Sequence, residues 1–536
     1  MKKSLCVLIG LLMAFSALNT GITAFAEMGY QTVDDDYIEN RIDAGEGIIA
    51  KNADAFSAEI VKYSGAAENL VIPETVDGKS VVSIGSFCFR NNKKIKSVTL
   101  PKTVKVINEG AFCGCSRLES INLENVEKIN YRAFTNDVRL KAVNLKSTKF
   151  IGRLAFKGCA ELTQITNLLP DRISEKAFFK TALYNAAINN NKKALYINKN
   201  LICAFTDKIK GSFKVKKGTV LIADLAFRRS KPKTKSKLTK IYLPNSVKRL
   251  GLLSLNCNTV KSIRLPKGLN SIGVNAISEK YIKKNAVNKN GCYYLKTYLV
   301  KCDNKSAVKI RKGTTLVADG VLCKCNMKKL VFPAGVKFIG EGNFKSKKLV
   351  SVSFPASLRE IASENFTSDS PYFVRGCNKL KRITVSDKNK RFSSKNGVLY
   401  NKNRTELIAY PAGKTDVSFT VPDSVKRINR FAFANAKNLK EIKLNSGIKA
   451  IEAYAFANCI FTSVTVPESV SYIGRCAFGF TYNYSEDEQG YFINQYFTVK
   501  GKEGSAAQKY CTDRVVALNY DDSWNYISTP VNFVAI

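Results

Sequence analysis

The sequence predicts a repeat solenoid interrupted by inserted hairpins, in which one short parallel strand per turn of 22 to 23 residues builds a parallel sheet on one side. Three observations predict this fold. Aromatic residues recur at a fixed period, a short alternating apolar run follows each of them, and a proline often ends that run. A unit of this length cannot bury an apolar face by itself, so neighbouring turns have to cover one another.

The aromatic period is clearest near the N-terminus of the array. Successive phenylalanines there stand 23, 22, 22 and 22 residues apart, at Phe89, Phe112, Phe134, Phe156 and Phe178. The same period returns at Leu322, Phe344 and Phe366 and again at Phe433, Phe456 and Phe478. The shared unit reads Ile-Gly-x-x-Ala-Phe-x-x-Cys-x-x-Leu-x-x-Val-x-Leu-Pro. We expect the aromatic rings to lie inside consecutive stacked turns.

The end of each unit has the pattern of a half-buried strand. Runs such as SVTL, SIRL and SVTV alternate apolar and polar residues. In eight units a proline follows, and because proline has no N–H for the strand ladder, it marks where the chain leaves the sheet. The outward strand positions form a mostly uncharged column, which is our candidate ligand face. Its members are Thr99, Asn122, Asn144, Thr166, Tyr242, Arg264, Ser353, Thr384, Lys443 and Thr465.

This unit resembles the BspA-like family of bacterial surface leucine-rich repeats, whose mark is Ile-Gly, Ala-Phe, Cys, Leu and Leu-Pro in this order. The likeness covers most of residues 65–510, and the segments VIPETVDGKSVVSIG and VKGKEGSAAQKYC are similar to the ends of arrays in that family. The resemblance implies a right-handed leucine-rich-repeat solenoid and extracellular binding or adhesion. It names no ligand, because a fold hosts many functions.

The first 26 residues have the pattern of a secretory signal peptide. Lys2 and Lys3 precede an apolar run over residues 5–18, and Ala24-Phe25-Ala26 is a cleavage motif. The run is shorter than the roughly 20 residues that span a bilayer, and no second apolar span follows. We therefore expect no transmembrane segment after cleavage and a secreted protein, either extracellular or loosely associated with the cell surface.

Three inserted modules interrupt the predicted array. Each contains a hairpin signal, with apolar and aromatic residues alternating around a polar break: ALYINKNLICAF, GCYYLKTYLVKC and GVLYNKNRTELIAYPAG. Their tyrosines serve either packing or ligand contact, and include Tyr196, Tyr293, Tyr294, Tyr298, Tyr400 and Tyr410.

The predicted organisation is a signal peptide at 1–26, an acidic leader or cap at 27–60, repeats at 61–180, a hairpin module plus repeat at 181–227, repeats with a basic insertion at 228–280, a hairpin module at 281–322, repeats at 323–390, a hairpin at 391–415, repeats at 416–480, and a cap and tail at 481–536.

One position of the repeat, three residues after the aromatic, is often cysteine, and we call it the cysteine slot. It holds Cys115, Cys159, Cys325, Cys377 and Cys459, whereas Asp137 and Ala436 fill it in other turns. We expect these cysteines to be free and buried as small apolar residues. Slots two turns apart would be about 9 to 10 Å apart, which exceeds the bridging limit of about 7 Å.

Cys292 and Cys302 are the pair that we predict to be placed for a disulfide, because they are symmetric about Thr297 in the second hairpin. No metal or cofactor site is predicted. The chain has no histidine, which excludes mixed Cys/His zinc sites and Ser-His-Asp catalysis. The Cys-x-Cys pairs that begin at Cys113 and Cys323 belong to distant turns.

The chain is strongly basic, with a formal net charge of +42 that becomes +40 once Lys2 and Lys3 leave with the signal peptide. Residues 207–249 hold 14 basic and two acidic residues. A basic run in this segment, which we place in an insertion outside the strand column, is either a solvated loop or an electrostatic footprint for a polyanion. The candidate polyanion patch consists of Arg228, Arg229, Lys231, Lys233, Lys235 and Lys237.

Taken together, these features predict a non-catalytic binding protein that acts as an adhesion or protein-interaction scaffold. Its ligand would be an extracellular protein or polysaccharide. The alternative is a polyanion-binding protein that an anionic cell-wall polymer retains at the surface by charge. A carbohydrate-active enzyme ranks lower, because the strand column has no clustered acids. Nucleic acid is not the expected partner, because no recognisable binding module accompanies the charge.

Overall fold

Short parallel strands in two columns recur along most of the described part of the chain. The computed structural model describes residues 42–227, 236–303, 306–344, 346–362, 377–484, 489–493, 496–512 and 531–536. The predicted signal peptide lies outside the described residues, as does the part of the predicted acidic leader before residue 42. In the described ranges, no helix combines the length and the apolar character that crossing a bilayer requires.

The first column, which we call the strand column, contains the strands that the sequence predicts. The column is divided into several sheets of two or three strands. Within each sheet the strands pair in parallel, so that Val98 lies opposite Leu70 and Ile165 opposite Val143. These central residues are buried. The strands of this column are Asn69–Val71, Ser97–Thr99, Ser120–Ile121, Ala142–Asn144, Gln164–Thr166, Lys210–Lys214, Lys237–Tyr242, Ser262–Arg264, Lys329–Val331, Ser351–Phe354, Arg382–Val385, Ser418–Thr420, Glu441–Lys443, Ser463–Thr465, Thr498–Gly501 and Asn532–Ala535.

A second column of strands was not predicted, so the expectation of one strand per turn is incomplete. It is formed by the segment that ends at the Ile of the Ile-Gly position, and its strands also pair in parallel, as Ile107 does with Ile129. Most of them have only two residues, which is too short to show an alternating pattern. They are Lys79–Ile84, Val106–Ile107, Lys128–Ile129, Phe150–Ile151, Arg172–Ile173, Leu221–Ile222, Arg249–Leu250, Ser271–Ile272, Leu316–Val317, Phe338–Ile339, Glu360–Ile361, Arg427–Ile428, Ala450–Ile451 and Tyr472–Ile473.

The repeated phenylalanines form a continuous stack between the two columns. The rings of Phe112 and Phe134 are parallel within 2°, with centroids 5.3 Å apart, and Phe156 continues the stack at 5.2 Å. All three side chains are fully buried. The backbone links the same residues, because the Phe112 N–H donates to the Ala133 carbonyl of the next turn at 2.8 Å. The predicted inward position of the aromatic residue is confirmed for these turns, whereas Phe366 lies outside the described residues.

The three predicted hairpins are present, and each returns the chain to the second column. The last strand of each hairpin pairs in parallel with the next turn, as Asn200–Ala204 does with Leu221–Ile222. The hairpin strands are Ala194–Ile197 and Asn200–Ala204 in the first module, Val287–Lys289, Cys292–Leu295 and Tyr298–Cys302 in the second, and Phe392–Lys395, Val398–Asn401 and Glu406–Ala409 in the third.

Short helices accompany the first two hairpins and the C-terminal end. Helix α1 (Ala182–Asn189) and helix α2 (Glu279–Asn285) precede the hairpins, and α3 (Ala506–Thr512) follows the last repeat. The Thr181 and Ser278 hydroxyls cap α1 and α2 by accepting backbone N–H groups of their first turns. A short 3-10 helix spans Thr206–Lys208. The sequence analysis predicted no helix, because two turns or fewer show no helical period.

Antiparallel strands occur at both ends of the array. Residues 42–60 of the predicted acidic leader are folded. They contain the strands Ile42–Asp43 and Ile48–Asp54 and the first residues of Ser57–Tyr63. The last of these pairs in parallel with Lys79–Ile84, against which Thr75–Val76 packs as an antiparallel strand. Towards the other end, Phe480–Tyr484 pairs with Gln489–Ile493.

The antiparallel pair Ile48–Asp54 and Ser57–Tyr63, at the start of the array, contacts one of the last turns. The Tyr472 hydroxyl donates to Asp54 Oδ2 at 3.0 Å, although 418 residues separate them in the sequence. The ring of Phe56 lies beside that of Tyr472, with a centroid distance of 5.4 Å. The contact therefore combines a hydrogen bond to a carboxylate with aromatic packing.

Candidate functional site

The candidate ligand face lies on the strand column, and strand pairing brings several of its residues together. Asn144 lies opposite Thr166, and Tyr242 lies opposite Arg264. Five members of the face, Thr99, Thr166, Arg264, Lys443 and Thr465, are exposed, whereas Asn122, Asn144, Tyr242, Ser353 and Thr384 are half-buried.

Several half-buried members of the face connect neighbouring turns. The Asn122 carboxamide accepts the Leu100 N–H at 2.6 Å and donates to the Leu100 carbonyl at 2.9 Å, so it replaces a strand pairing. The Thr384 hydroxyl donates to the Ser353 hydroxyl at 2.7 Å. These side chains hold the register of the strands, and the exposed members present the surface to solvent.

The sequence analysis missed half of the outward positions. Each three-residue strand points two side chains outward, so Ser97 belongs to the same surface as Thr99, on either side of buried Val98. Lys240 likewise flanks buried Ile241 on the side opposite Tyr242. The polar–apolar–polar alternation contains this signal, but only the second polar position of each strand was selected.

The basic run is not confined to an insertion outside the strand column, as the sequence analysis expected. Lys237 is the first residue of the column strand Lys237–Tyr242 and lies opposite Lys210. The remaining residues of the candidate polyanion patch, at positions 228–235, lie outside the described residues. The expectation failed because the last residue of the run is already the first residue of the strand.

The cysteine slot is a packing position, as predicted, and the structure shows why a thiol suits it. The Cys115 thiol donates to the Phe89 carbonyl of the preceding turn at 3.0 Å, and Cys159 donates to Phe134 in the same way. Burial raises the pKa of the Cys115 thiol, so the protonated form that donates is favoured.

Buried carboxylates in the turns also hold backbone groups. Asp137, in the cysteine slot, accepts the Cys115 N–H at 2.8 Å. Asp224 accepts the Leu252 N–H at 2.8 Å and pairs with Arg172 at 2.8 Å. Burial raises the pKa of Asp319 to about 7, and its Oδ1 accepts the N–H of the next turn at 3.1 Å. Each of the three carboxyl groups therefore links its own turn to the backbone of a neighbouring turn.

The hairpin residues that the sequence singled out are largely internal. Cys292 and Cys302 lie directly opposite each other, in the predicted register. The Tyr298 hydroxyl donates to the Pro266 carbonyl at 2.9 Å. Packing is therefore confirmed for the buried tyrosines, which are Tyr294, Tyr298, Tyr400 and Tyr410, whereas Tyr196 and Tyr293 are half-buried.

A cavity of about 500 Å³ opens beside the third hairpin. Its polar lining is turned largely towards the protein backbone, since Lys402 Nζ donates to the Asp387 carbonyl at 3.0 Å and the Ser424 hydroxyl donates to the Arg404 carbonyl at 3.1 Å. In the described part of the chain, no group of three or more cysteine or acidic side chains is arranged to hold a metal ion.

Comparison with known proteins gives matches to repeat proteins of one kind. The model of the BspA type leucine rich repeat region matches residues 82–203, 172–304, 296–396 and 409–487. No curated protein matches the sequence.

Solved structures of bacterial leucine-rich repeat proteins are similar at low identity. A cell surface protein from Faecalibacterium prausnitzii is 18% identical over 93% of this chain and 95% of its own, with a TM-score of 0.23. A protein from Bacteroides ovatus is 18% identical over 94% and 100%, with a TM-score of 0.23. A protein from Eubacterium ventriosum is 16% identical over 82% and 94%, with a TM-score of 0.26.

Proposed function

We propose, from the premise that the chain belongs to the BspA-type leucine-rich repeat family, that it is a secreted or cell-surface binding protein. Its strand column serves as a non-catalytic scaffold for adhesion or protein interaction, and its ligand is an extracellular protein or polysaccharide. The signal-peptide pattern of residues 1–26 supports export.

The observation that carries this proposal is the register of the strand column. Thr166 lies directly beside Asn144, and both hydroxyl-bearing and carboxamide side chains repeat at the spacing of parallel strands, about 4.8 Å. The buried phenylalanine stack beneath holds this spacing fixed, so little conformational freedom is lost when a ligand binds. A preorganised polar surface of this kind suits recognition of a large partner.

Binding to arrays of extracellular matrix proteins and of polysaccharides tests the proposal. We expect a ligand whose binding is lost in Thr99→Arg/Thr166→Arg, because two long cations replace small exposed hydroxyl residues on the strand column. Ser86→Arg/Asn258→Arg is the matched control, since it adds the same charge at exposed positions outside the strands. Equal loss in both variants would contradict binding by the strand column, and release of reducing ends from a polysaccharide would contradict the non-catalytic role.

A further inference from the structure

Three neighbouring strands of the strand column carry a concentration of exposed cations. The strands Lys210–Lys214, Lys237–Tyr242 and Ser262–Arg264 pair in parallel, and their sequences contain no acidic residue. We call the exposed cations on and beside them the basic strand face, which consists of Lys210, Lys214, Lys237, Lys240, Lys261 and Arg264.

The strand register places two of these like charges directly opposite each other and two more in one row. Lys210 lies directly opposite Lys237, and Tyr242 lies between Lys214 and Arg264 in one cross-strand row. Like charges directly opposite each other destabilise a strand pair. The arrangement therefore costs folding free energy, which an anionic partner would recover.

In the N-terminal part of the strand column, two cations are neutralised across turns. Lys96 pairs with Glu68 at 2.7 Å, and Lys141 pairs with Glu119 at 3.0 Å. By contrast, no member of the basic strand face forms an ion pair with a carboxylate of the described ranges. The repeat can supply an acid one turn away from a lysine, and it does not do so here.

We propose that the basic strand face binds a linear polyanion without nucleobases, a flexible polymer with closely spaced phosphate or sulfate groups. Single exposed ion pairs contribute little, so a polymer that meets several cations at once is the ligand that this surface fits. Strands about 4.8 Å apart offer the cations in rows along which such a chain can lie. This site shares Arg264 with the candidate ligand face but lies apart from Thr99 and Thr166, and its charge-based ligand class goes beyond the proposed function.

The test is binding of the protein without its signal peptide to inorganic polyphosphate and to heparin, measured across a series of salt concentrations. Lys214→Gln/Lys240→Gln/Arg264→Gln removes three cations from the face. We expect affinity at about 0.1 M salt to fall about a hundredfold and the slope of log K against log[salt] to decrease by about 2, because three fewer counterions are displaced. Thermal unfolding of each variant verifies that the fold is retained.

Two further variants separate the basic strand face from other sources of charge. Lys94→Gln/Lys102→Gln/Lys347→Gln removes the same net charge from exposed positions elsewhere, and it should retain near wild-type affinity. A second variant changes Arg228, Arg229, Lys231, Lys233 and Lys235 to Gln and leaves the strands intact. Equal losses of affinity in the face variant and in the exposed-lysine control would overturn the proposal. A loss of affinity in the 228–235 variant would also overturn it, if the face variant binds like wild type.

The choice of polymer separates the sources of the anion. Preference for polyphosphate over heparin assigns a phosphate polymer, the reverse preference assigns a sulfated polysaccharide, and both support the site. Single-stranded DNA of matched charge is the third arm. Tighter binding to DNA than to either polymer, abolished by the face variant, would assign a nucleic acid and overturn the proposal.

Discussion

The sulfur atoms of Cys292 and Cys302 lie 2.7 Å apart across an antiparallel strand pair of the second hairpin. Their environment differs from that of the cysteine slot, where the thiol donates to a backbone carbonyl. The hydrogen bond from Cys302 lowers the pKa of the Cys292 thiol. Because the thiolate is the nucleophile in disulfide formation, this pair is prepared for oxidation.

We therefore predict that oxidised glutathione converts Cys292 and Cys302 to a disulfide while the slot cysteines stay reduced. Alkylation of the unreduced protein, followed by peptide mass spectrometry, measures both. Cys302→Ser should leave Cys292 alkylated or joined to glutathione. A bridge between Cys115 and Cys159 would contradict the stacking of the turns, because they lie two turns apart.

The phenylalanine stack predicts a large effect of truncation. Phe134 is fully buried between Phe112 and Phe156, so Phe134→Ala removes packing on both sides and should lower the free energy of unfolding by about 3 to 5 kcal/mol. Phe134→Leu keeps most of the volume and should cost less. Denaturant unfolding measures the difference, and a cost below about 1 kcal/mol for the alanine variant would refute the stacked core.

Asp137 predicts a pH dependence of stability. Its side chain is fully buried, its Oδ2 has no hydrogen-bond partner, and burial raises its pKa well above the usual range. The protonated carboxyl is thus favoured in the folded state. Its contribution to stability is fully present below the unfolded pKa of about 3.9 and is lost as the pH rises through the folded pKa.

Replacing Asp137 by cysteine, the residue that this slot holds in other turns, removes the charge. The thiol sulfur is a weak acceptor for the Cys115 N–H, which Asp137 Oδ1 accepts in the wild type. We expect Asp137→Cys to stabilise the protein by about 1 to 3 kcal/mol at pH 7 and to have little effect near pH 4. Chemical unfolding at both pH values measures this, and an equal gain at both would rule out the titration of Asp137.

A fourth prediction concerns backbone strain before the Ala-Phe pair. Lys176 has a φ of +55° and is exposed, whereas Gly110 and Gly342 occupy the same repeat position at +56° and +66°. Lys176→Gly should be more stable than Lys176→Ala by about 0.5 to 1 kcal/mol, because only glycine adopts this conformation without a Cβ clash. Thermal unfolding of the two variants compares them, and greater stability of the alanine variant would contradict the left-handed geometry.

The sequence predicted the features that repeat every turn and have a strong local pattern. Phe134 and Cys115 were placed correctly, because a residue that recurs at 22 or 23 positions occupies one environment. The second column escaped prediction because a strand such as Val106–Ile107 is too short for any period.

The basic strand face depends on register rather than on local pattern. Lys210 and Lys237 are 27 positions apart, beyond the regular period, and they meet only because a bulge after Gly211 shifts the pairing. The contact of Asp54 with Tyr472 depends on the summed geometry of every intervening turn. No segment of the sequence encodes such a relationship by itself.

That contact has a consequence for how the gene can change. In open repeat arrays each unit touches only its neighbours, so recombination between similar repeats can add or delete a unit without disturbing the others. Here one extra turn would move Tyr472 about 4.8 Å away from Asp54. This shift would break the 3.0 Å hydrogen bond between them. Selection to keep the contact would therefore fix the number of repeats while leaving their surface residues free to diverge.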